Sequence, residues 1–341
     1  MTLLACETSC DETSAAVVRQ GEVISNVVAS QIQLHAEYGG VVPELAVREH
    51  LRNFRPVVTE ALREAGVCAS QLDAVAATQG PGLPSALLVG LKAAQAMAFA
   101  LRKPFVGIHH HEAHLYSPWI GGTPLRAEFE RFEPNVSLIV SGGHTLLVLV
   151  QAEFEHRVLG STMDDAAGEC FDKTGKLMGL AYPAGPEMDR LAGQGNPAAY
   201  SFPRPLLNEA NDDFSFSGLK TSVRYFLRDH PGLLEASQAI RDLCASIQAA
   251  IVEVLVTKTV RAARREGVRC VTASGGVTCN RALRTELTAA CQRAGLRLRL
   301  AERSLCTDNA AMIGILAERK LQRAEVRQDY DADIAPALQL T

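Results

Sequence analysis

The sequence predicts an α/β protein built as two similar halves. Three observations carry that expectation. The chain has 341 residues, 47% of them hydrophobic, which suits two domains of ordinary size with sizeable cores. A strand, a polar turn and a second strand open each half, at Leu3–Cys6 to Ala15–Val18 and again at Asn135–Val140 to Leu146–Val150, so an internal duplication is expected. Glycine-bearing turns between strands and helices recur at Gly80–Gly82 and Ser274–Gly276. A third such turn, Ser141–Gly143, lies between two strands.

Composition narrows the class. No apolar run is long enough to cross a bilayer without a glycine, proline or charge, so no membrane association is expected. The N-terminal Met-Thr-Leu-Leu-Ala-Cys-Glu has no basic region ahead of an apolar one, which reads as no signal peptide. Nine cysteines, none in a Cys-x-x-Cys pair, suit reduced thiols in a cytoplasmic protein. A net charge of −4 argues against strong autonomous nucleic-acid binding, because neutralising phosphates takes surplus Lys and Arg. A local basic face remains compatible with it.

Taken in order, Leu3–Cys6 reads as a buried strand, followed by a polar turn from Glu7 to Ser14 and strands at Ala15–Val18 and Val23–Val28. Hydroxyls and amides at that turn suit a phosphate; its carboxylates, Asp11 and Glu12, suit a metal or an amine. Pro43 to Ala65 has Leu51, Phe54, Val58, Leu62 and Ala65 at helical spacing, with Pro56 expected to kink or divide the helix and Gly66 to stop it. Ala74–Thr78 is a strand leading through Gln79-Gly-Pro-Gly-Leu83 into an alanine-rich helix to Leu101. The charged stretch Ala127–Pro134 marks the boundary between halves. Residues 160–220 read as loop-rich, and a long segment of that kind is usually functional. Ser237 to Arg265 is an amphipathic helix, Val268–Ala273 a strand, and Asn280 a helix cap. Cys306-Thr-Asp308-Asn309 precedes another helix.

The chemistry centres on Ile108-His-His-His-Glu-Ala-His114, which follows a strand-like run from Phe105. His110 and His114 are spaced i, i+4, so a helix puts both imidazoles on one face within reach of one metal ion. A third ligand must come from elsewhere, and Asp308 is the candidate, although alone it reads as a cap. The spacing excludes zincin peptidases, since His111-Glu112-Ala113-His114 is one residue short, and the inverted motif is absent too.

Together these stretches resemble the TsaD family (also called Gcp or YgjD), the tRNA adenosine threonylcarbamoyltransferases. The matching residues are Glu7-Thr-Ser-Cys-Asp-Glu-Thr13, His35-Ala-Glu-Tyr-Gly-Gly-Val-Val-Pro-Glu-Leu45, Gly80-Pro-Gly-Leu83, His109 to His114, Val140-Ser-Gly-Gly-His-Thr145, Asp164-Asp-Ala-Ala-Gly-Glu169 with Phe171-Asp-Lys-Thr174, Phe214-Ser-Phe-Ser-Gly-Leu-Lys-Thr221 and Cys306-Thr-Asp-Asn309. The His-Ala-Glu-Tyr-Gly-Gly stretch resembles the bacterial and mitochondrial branch, and the lack of an Arg-rich transit peptide favours a bacterial source.

The resemblance implies two actin-like, ribonuclease-H-like domains of the sugar kinase, heat-shock ATPase and actin superfold, with ligand in the interdomain cleft. The domains would be 1–130, joined by a C-terminal helix over 308–325, and 131–307. His110, His114 and Asp308 would bind one divalent metal, iron first and zinc second. Ile139, Val140, Ser141, Gly142, Gly143, Asp172, Gly185, Asp189 and Asn280 would hold threonylcarbamoyl-AMP, and Asp11 and Glu12 would sit close to the chemistry. The threonylcarbamoyl group would pass to N6 of adenosine 37, next to the anticodon, of tRNAs reading codons that begin with A, releasing AMP. Partners would be tRNA, a TsaB-type paralogue and a TsaE-type ATPase.

Two departures stand out: Ala184-Gly185 where the family commonly has Gly-Gly, and Pro84-Ser85 where it has Val-Gly. Either can alter a local backbone, and neither removes a ligand. The alternative reading is a kinase-like ATP phosphotransferase of the same superfold, which would hold magnesium through carboxylates and water rather than two histidines. The arginines Arg261, Arg264, Arg265, Arg269, Arg281, Arg284, Arg293, Arg297, Arg299 and Arg303 crowd one region. With the net charge, they predict weak, salt-sensitive tRNA binding by the chain alone and tighter binding by the assembly.

Overall fold

The computed structural model describes residues 1–323 and 330–340. They divide into unit 1, Met1–Phe132 with Thr307–Leu340, and unit 2, which begins at Glu133 and runs to Cys306.

Unit 1 opens with strands β1 (Thr2–Glu7), β2 (Glu12–Arg19) and β3 (Glu22–Ser30). Helices α1 (Ile32–Ala36) and α2 (Pro43–Ala65) follow, then β4 (Ala74–Gly80), α3 (Pro84–Leu101), β5 (Phe105–His109), α4 (His110–Tyr116) and two short strands, β6 (Ile120–Gly121) and β7 (Arg126–Ala127). The sheet order is β5-β4-β1-β2-β3-β7-β6, with β1 parallel to β4 and β4 parallel to β5. The core strand β1 is paired on both sides, and Leu3, Leu4, Ala5 and Cys6 are wholly buried, as the continuous apolar run requires.

Three expectations need correction here. The polar turn is shorter than Glu7–Ser14: Glu7 ends β1, and Glu12, Thr13 and Ser14 already belong to β2. Helix α2 is not divided at Pro56 but runs unbroken to Gly66, whose φ of 62° closes it. A proline inside a helix costs about 3 kcal/mol. Burial of the neighbouring Phe54, Val57, Val58 and Ala61 offsets it, since each large apolar side chain contributes roughly 1.5–3 kcal/mol. Leu51, expected on that buried face, is instead 66% exposed.

Unit 2 repeats the plan. Strands β8 (Asn135–Val140), β9 (Thr145–Ala152) and β10 (Glu155–Ser161) form an antiparallel meander. Helices α5 (Ala167–Leu177), α6 (Ala184–Ala192), α7 (Ser217–Asp229) and α8 (Ser237–Arg265) precede β11 (Cys270–Ser274), α9 (Arg281–Ala294) and β12 (Arg297–Leu300). The order β12-β11-β8-β9-β10 matches β5-β4-β1-β2-β3 strand for strand, with β8, β11 and β12 mutually parallel. The duplication expected from the two hairpins therefore extends to five strands of each sheet, with β7 and β6 added in unit 1. Residues 160–220, read as loop-rich, contain α5, α6 and the start of α7. Among the described helices, α3 and α8 are long and apolar enough to span a bilayer. Here α3 packs on β4, and α8 packs on α6, α9 and β8.

The chain returns to unit 1 as α10 (Ala310–Gln322), capped by Asn309 rather than Asp308, and packs on β1, β2 and α4. The expected end of this helix, at 325, lies outside the described residues. Residues 330–340 form a strap over the end of β4 and over α3. The Ala335 amide donates to Gln79 O at 2.9 Å, and the Gly82 amide to Pro336 O at 3.2 Å. Gln95 donates to Ala332 O at 2.7 Å.

Two of the quoted motifs prove to be each other's partners. The Asp164 carboxylate accepts from the hydroxyls of Ser215 and Ser217 and from the amides of Phe216 and Ser217, so it caps α7 from a distance. Asp165 accepts from Lys173 and Lys220. Burial opposes ionisation of Asp164, but the four hydrogen bonds outweigh it and hold its pKa at about 2. A depressed carboxylate stabilises the fold above its unfolded pKa and loses that contribution as pH falls through the folded value. Asp164→Ala is therefore expected to cost about 1 kcal/mol at neutral pH, the usual loss of a helix cap. In urea unfolding, the gap between wild type and variant should shrink steadily below about pH 4. A gap that stays constant as pH falls would rule out the ionised cap.

Candidate active site

Unit 1 gathers its polar groups at the carboxyl ends of three neighbouring parallel strands, where open α/β sheets present ligand sites. Glu7 ends β1, Thr78 lies near the end of β4, and His109 ends β5 directly before α4. The backbone turns into α4 at once, and the His109 ring nitrogen caps the turn by accepting from the Glu112 amide at 3.4 Å. Lys320 of α10 pairs with the nearly buried Glu112 at 2.6 Å, tying α4 to the helix that follows Asp308.

His110 and His114 then sit one turn apart, with ring centroids 4.8 Å from each other. Both present Nε2 to one oxygen: Asp308 Oδ1 lies 3.4 Å from His110 Nε2 and 3.3 Å from His114 Nε2. The ligand atoms of the three residues all fall within 4.8 Å of one another. Burial opposes the charged form of His110, but the Asp308 and Glu7 carboxylates outweigh it and raise its pKa well above 6.5. Burial also opposes ionisation of Asp308, and the His110 charge overcomes it, holding Asp308 well below the usual carboxylate range. Burial lowers the pKa of His114. Two buried imidazoles and a half-buried, ionised carboxylate that converge are the chemistry of a transition-metal site with open positions. The residues therefore fit a bound metal.

Asp11 and Glu12 lie in the same unit, at the β1–β2 turn and the first residue of β2. Burial, then the Asp11 and Asp308 charges, push Glu12 up to about 10, so it is a protonated acid at neutral pH. Asp11, half-buried at the turn, is the remaining candidate of the pair.

The Gly80–Gly82 turn faces its own chain. A Cβ on Gly80 would collide with the Ala335 carbonyl of the strap, and one on Gly82 would lie 2.6 Å from Ser9 O. Gly275 in unit 2 is likewise structural, with a φ of 91° and the Val140 backbone against it. The Ser141–Gly143 turn differs: nothing lies within 4 Å of a Cβ at Gly142 or Gly143, and both are exposed. The start of α5 docks beside it, the Gly168 amide donating to Ser141 O at 3.2 Å. Ile139 and Val140 are fully buried in β8, so only their main chain is available there.

The other unit 2 candidates hold local structure. Asp172 accepts from the Ala184 and Gly185 amides at 2.8 and 3.2 Å, at the first turn of α6. Asp189 pairs with Arg281 at 2.8 Å. Asn280 caps α9 through Leu283 N at 2.9 Å and donates to Gln248 at 2.6 Å. The departure at Ala184 is accommodated, since its buried methyl packs over Gly175 of α5. Pro84 occupies the first turn of α3, where a missing N–H costs nothing.

Several arginines of the crowded region also have internal partners. Arg261 donates to Leu207 O and Asn211 O, Arg265 pairs with Asp212, Arg284 donates to Thr278 O and Ala301 O, and Arg297 pairs with Glu133. Glu7 is the residue that the sequence reading passed over. The only signal for it was its place at the end of a buried strand, beside the Thr8–Thr13 cluster.

Known proteins resemble this chain over nearly its whole length. The family model described as TsaD, tRNA N6-adenosine threonylcarbamoyltransferase, matches residues 22–315. A protein of that name from Geotalea uraniireducens is 49% identical over 337 residues, covering 98% of this chain and 96% of the relative. Another from Chlorobium phaeovibrioides is 51% identical, covering 95% of each. The HypF structure from T. kodakarensis matches with a TM-score of 0.60 at 16% identity, covering 96% of this chain and 49% of HypF, which shows a shared actin-like fold.

Elemental analysis after purification tests the three-residue site. His110→Ala/His114→Ala protein should carry no stoichiometric transition metal where wild type carries about one ion per chain, as a single three-ligand site holds one. Full retention by the double variant would remove these residues from the site.

Proposed function

We propose that this chain, which belongs to the TsaD family of tRNA N6-adenosine threonylcarbamoyltransferases, holds a metal through His110, His114 and Asp308 and grips the phosphate end of its donor with the Ser141–Gly143 turn. Membership makes it a transferase that modifies tRNA at N6 of an adenosine. The family match sets the kinase-like alternative aside. The single observation that supports the metal reading is the convergence of two Nε2 atoms and Oδ1 within 4.8 Å in unit 1. Iron is proposed first and zinc second, because two imidazoles and one carboxylate with open positions are a set both metals use.

The donor is threonylcarbamoyl-AMP, a mixed anhydride, and the acceptor is adenosine 37 beside the anticodon of tRNAs reading codons that begin with A. The exocyclic amine attacks the carbamoyl carbonyl, the C–N bond forms, the bond to phosphate oxygen breaks, and AMP leaves. Asp11 takes the proton the amine sheds. Glu12, protonated, hydrogen-bonds to Asp11 and leaves that carboxylate as the acceptor. Gly142 and Gly143 let backbone amides approach the phosphate, and Asp172, Gly185, Asp189 and Asn280 hold the rest of the adenylate from α5, α6 and α9. The bound metal supplies Lewis-acid stabilisation of charge developing on donor oxygens. The enzyme works in the cytoplasm, with a TsaB-type paralogue and a TsaE-type ATPase completing the tRNA surface. Internal pairing of Arg261, Arg265, Arg284 and Arg297 supports that division of labour.

Incubation with threonine, bicarbonate, ATP, unmodified tRNA and the family's partner proteins, followed by nucleoside mass spectrometry, should yield threonylcarbamoyladenosine. In that assay Asp11→Asn should lose about 10²–10⁴-fold in rate, the usual contribution of a positioned base. Glu12→Gln, which keeps a neutral hydrogen-bonding group, should lose less. A wild-type rate for Asp11→Asn would exclude it as the proton acceptor.

A second variant isolates the phosphate turn. Open space around Gly142 lets the fold accept a side chain, so only ligand should object. Gly142→Val is expected to keep the wild-type melting temperature and weaken adenylate binding at least tenfold by calorimetry, about 1.4 kcal/mol. Unchanged affinity would take the turn out of the site.

A further inference from the structure

Glu7 is wholly buried, yet its carboxylate is fully used. Oε1 accepts from the Ser9 amide at 2.5 Å. Oε2 accepts from the Thr78 hydroxyl at 2.5 Å and faces His110 Nδ1 at 3.0 Å. These contacts join the ends of β1 and β4 to the first residue of α4, the His110 pair spanning 103 positions of sequence. A buried carboxylate accepts hydrogen bonds and donates none, so His110 must carry its proton on Nδ1. Its Nε2, the atom that faces Asp308 Oδ1, is then the nitrogen left to bind an ion, which takes the place of any proton there. His114 has no such anchor: its buried Nδ1 lacks a hydrogen-bond partner among the described residues. His110 Nδ1 also lies 3.3 Å from Ser9 Oγ, a longer contact than its 3.0 Å approach to Glu7, so Glu7 is the closer anchor of that ring.

We propose that Glu7 is a positioning residue for the metal centre, fixing the Nδ1–H tautomer and ring orientation of His110 so that Nε2 is aimed at the ion. Carboxylates that hold a metal-bound histidine in this way set its ring plane and raise its basicity, and their loss typically lowers metal affinity about 10–100-fold. Thr78 and the Ser9 amide act one step further out, holding the carboxylate itself in place. The proposal rests on the metal reading of His110, His114 and Asp308.

The test is metal affinity by chelator competition with zinc, at one fixed pH, for full-length wild type, Glu7→Gln and Thr78→Val. Wild type that takes up no zinc would sink the metal reading itself, separately from any effect of Glu7. Given wild-type binding, Glu7→Gln should raise the zinc Kd about 10–100-fold while the metal-free melting temperature moves little. Nitrogen NMR of the zinc-loaded wild type should show His110 protonated on Nδ1 and metal-bound through Nε2. If Glu7→Gln does not fold, Thr78→Val decides, since it keeps the carboxylate and removes only its hydroxyl anchor; it should weaken zinc several-fold. A Kd within twofold of wild type in a folded Glu7→Gln or in Thr78→Val, or zinc on His110 Nδ1, would overturn the proposal.

Discussion

Two carboxylates, Glu7 and Asp308, flank one buried imidazole, and unit 1 is arranged around the need to compensate that negative charge. Burying a charge is costly unless a partner of opposite sign and a full set of hydrogen bonds go with it. His110 supplies the partner, either as an imidazolium or with a metal in place of its Nε2 proton. The rest follows from where these groups must come from. Glu7 and Thr78 can meet His110 only if β1, β4 and β5 run parallel and adjacent, so that their carboxyl ends coincide. Asp308 can reach the same point only if the chain returns from unit 2 to place α10 on β1. The fold thus brings together residues from four distant parts of the sequence around one ring, His110, with Glu7 at its Nδ1 and Asp308 at its Nε2.

The duplicated sheet gives unit 2 the same strand order but a different use of the equivalent ends. At the end of β8 the turn is glycine with open space, while the turn after β11 is locked by backbone contact with Val140. Glycines that look alike in sequence therefore do different work. Those at 80, 82 and 275 let two pieces of chain pass close together, and those at 142 and 143 leave room for something else. Polar groups tell a parallel story. Asp164 and Asp165 serve the fold, tying α7 and two lysines together, whereas Asp308 gives its charge to the histidines.

Local signals in the sequence located much of this. The buried strand at Leu3–Cys6, the helix ending at Gly66 and the Asn280 cap depend on near neighbours, and a reader of the sequence sees those neighbours. The i, i+4 spacing of His110 and His114 is local too, whereas Asp308 alone read as a helix cap and stood only as a candidate, because 194 positions separate it from His114. What escaped detection was non-local. Glu7 read as the start of a turn, since nothing within ten residues shows that Thr78 and His110 will claim it. The strap over Gly80 has no periodicity to betray its docking. Helices α5 and α6 are short and lie among glycines and prolines, and tertiary packing rather than propensity makes them helices. Leu51 fitted a helical stripe and still faces solvent, because the sheet covers the neighbouring stripe through Phe54 and Val58.

The central claim is that one metal ion is held by two imidazole nitrogens and one carboxylate oxygen, with no sulfur. X-ray absorption at the edge of the bound metal in purified wild-type protein tests it most directly. The account predicts two imidazole nitrogens at about 2.0–2.1 Å and oxygen completing the shell. A sulfur scatterer at about 2.3 Å would place the ion on cysteine instead and contradict the account. So would a shell of oxygens alone.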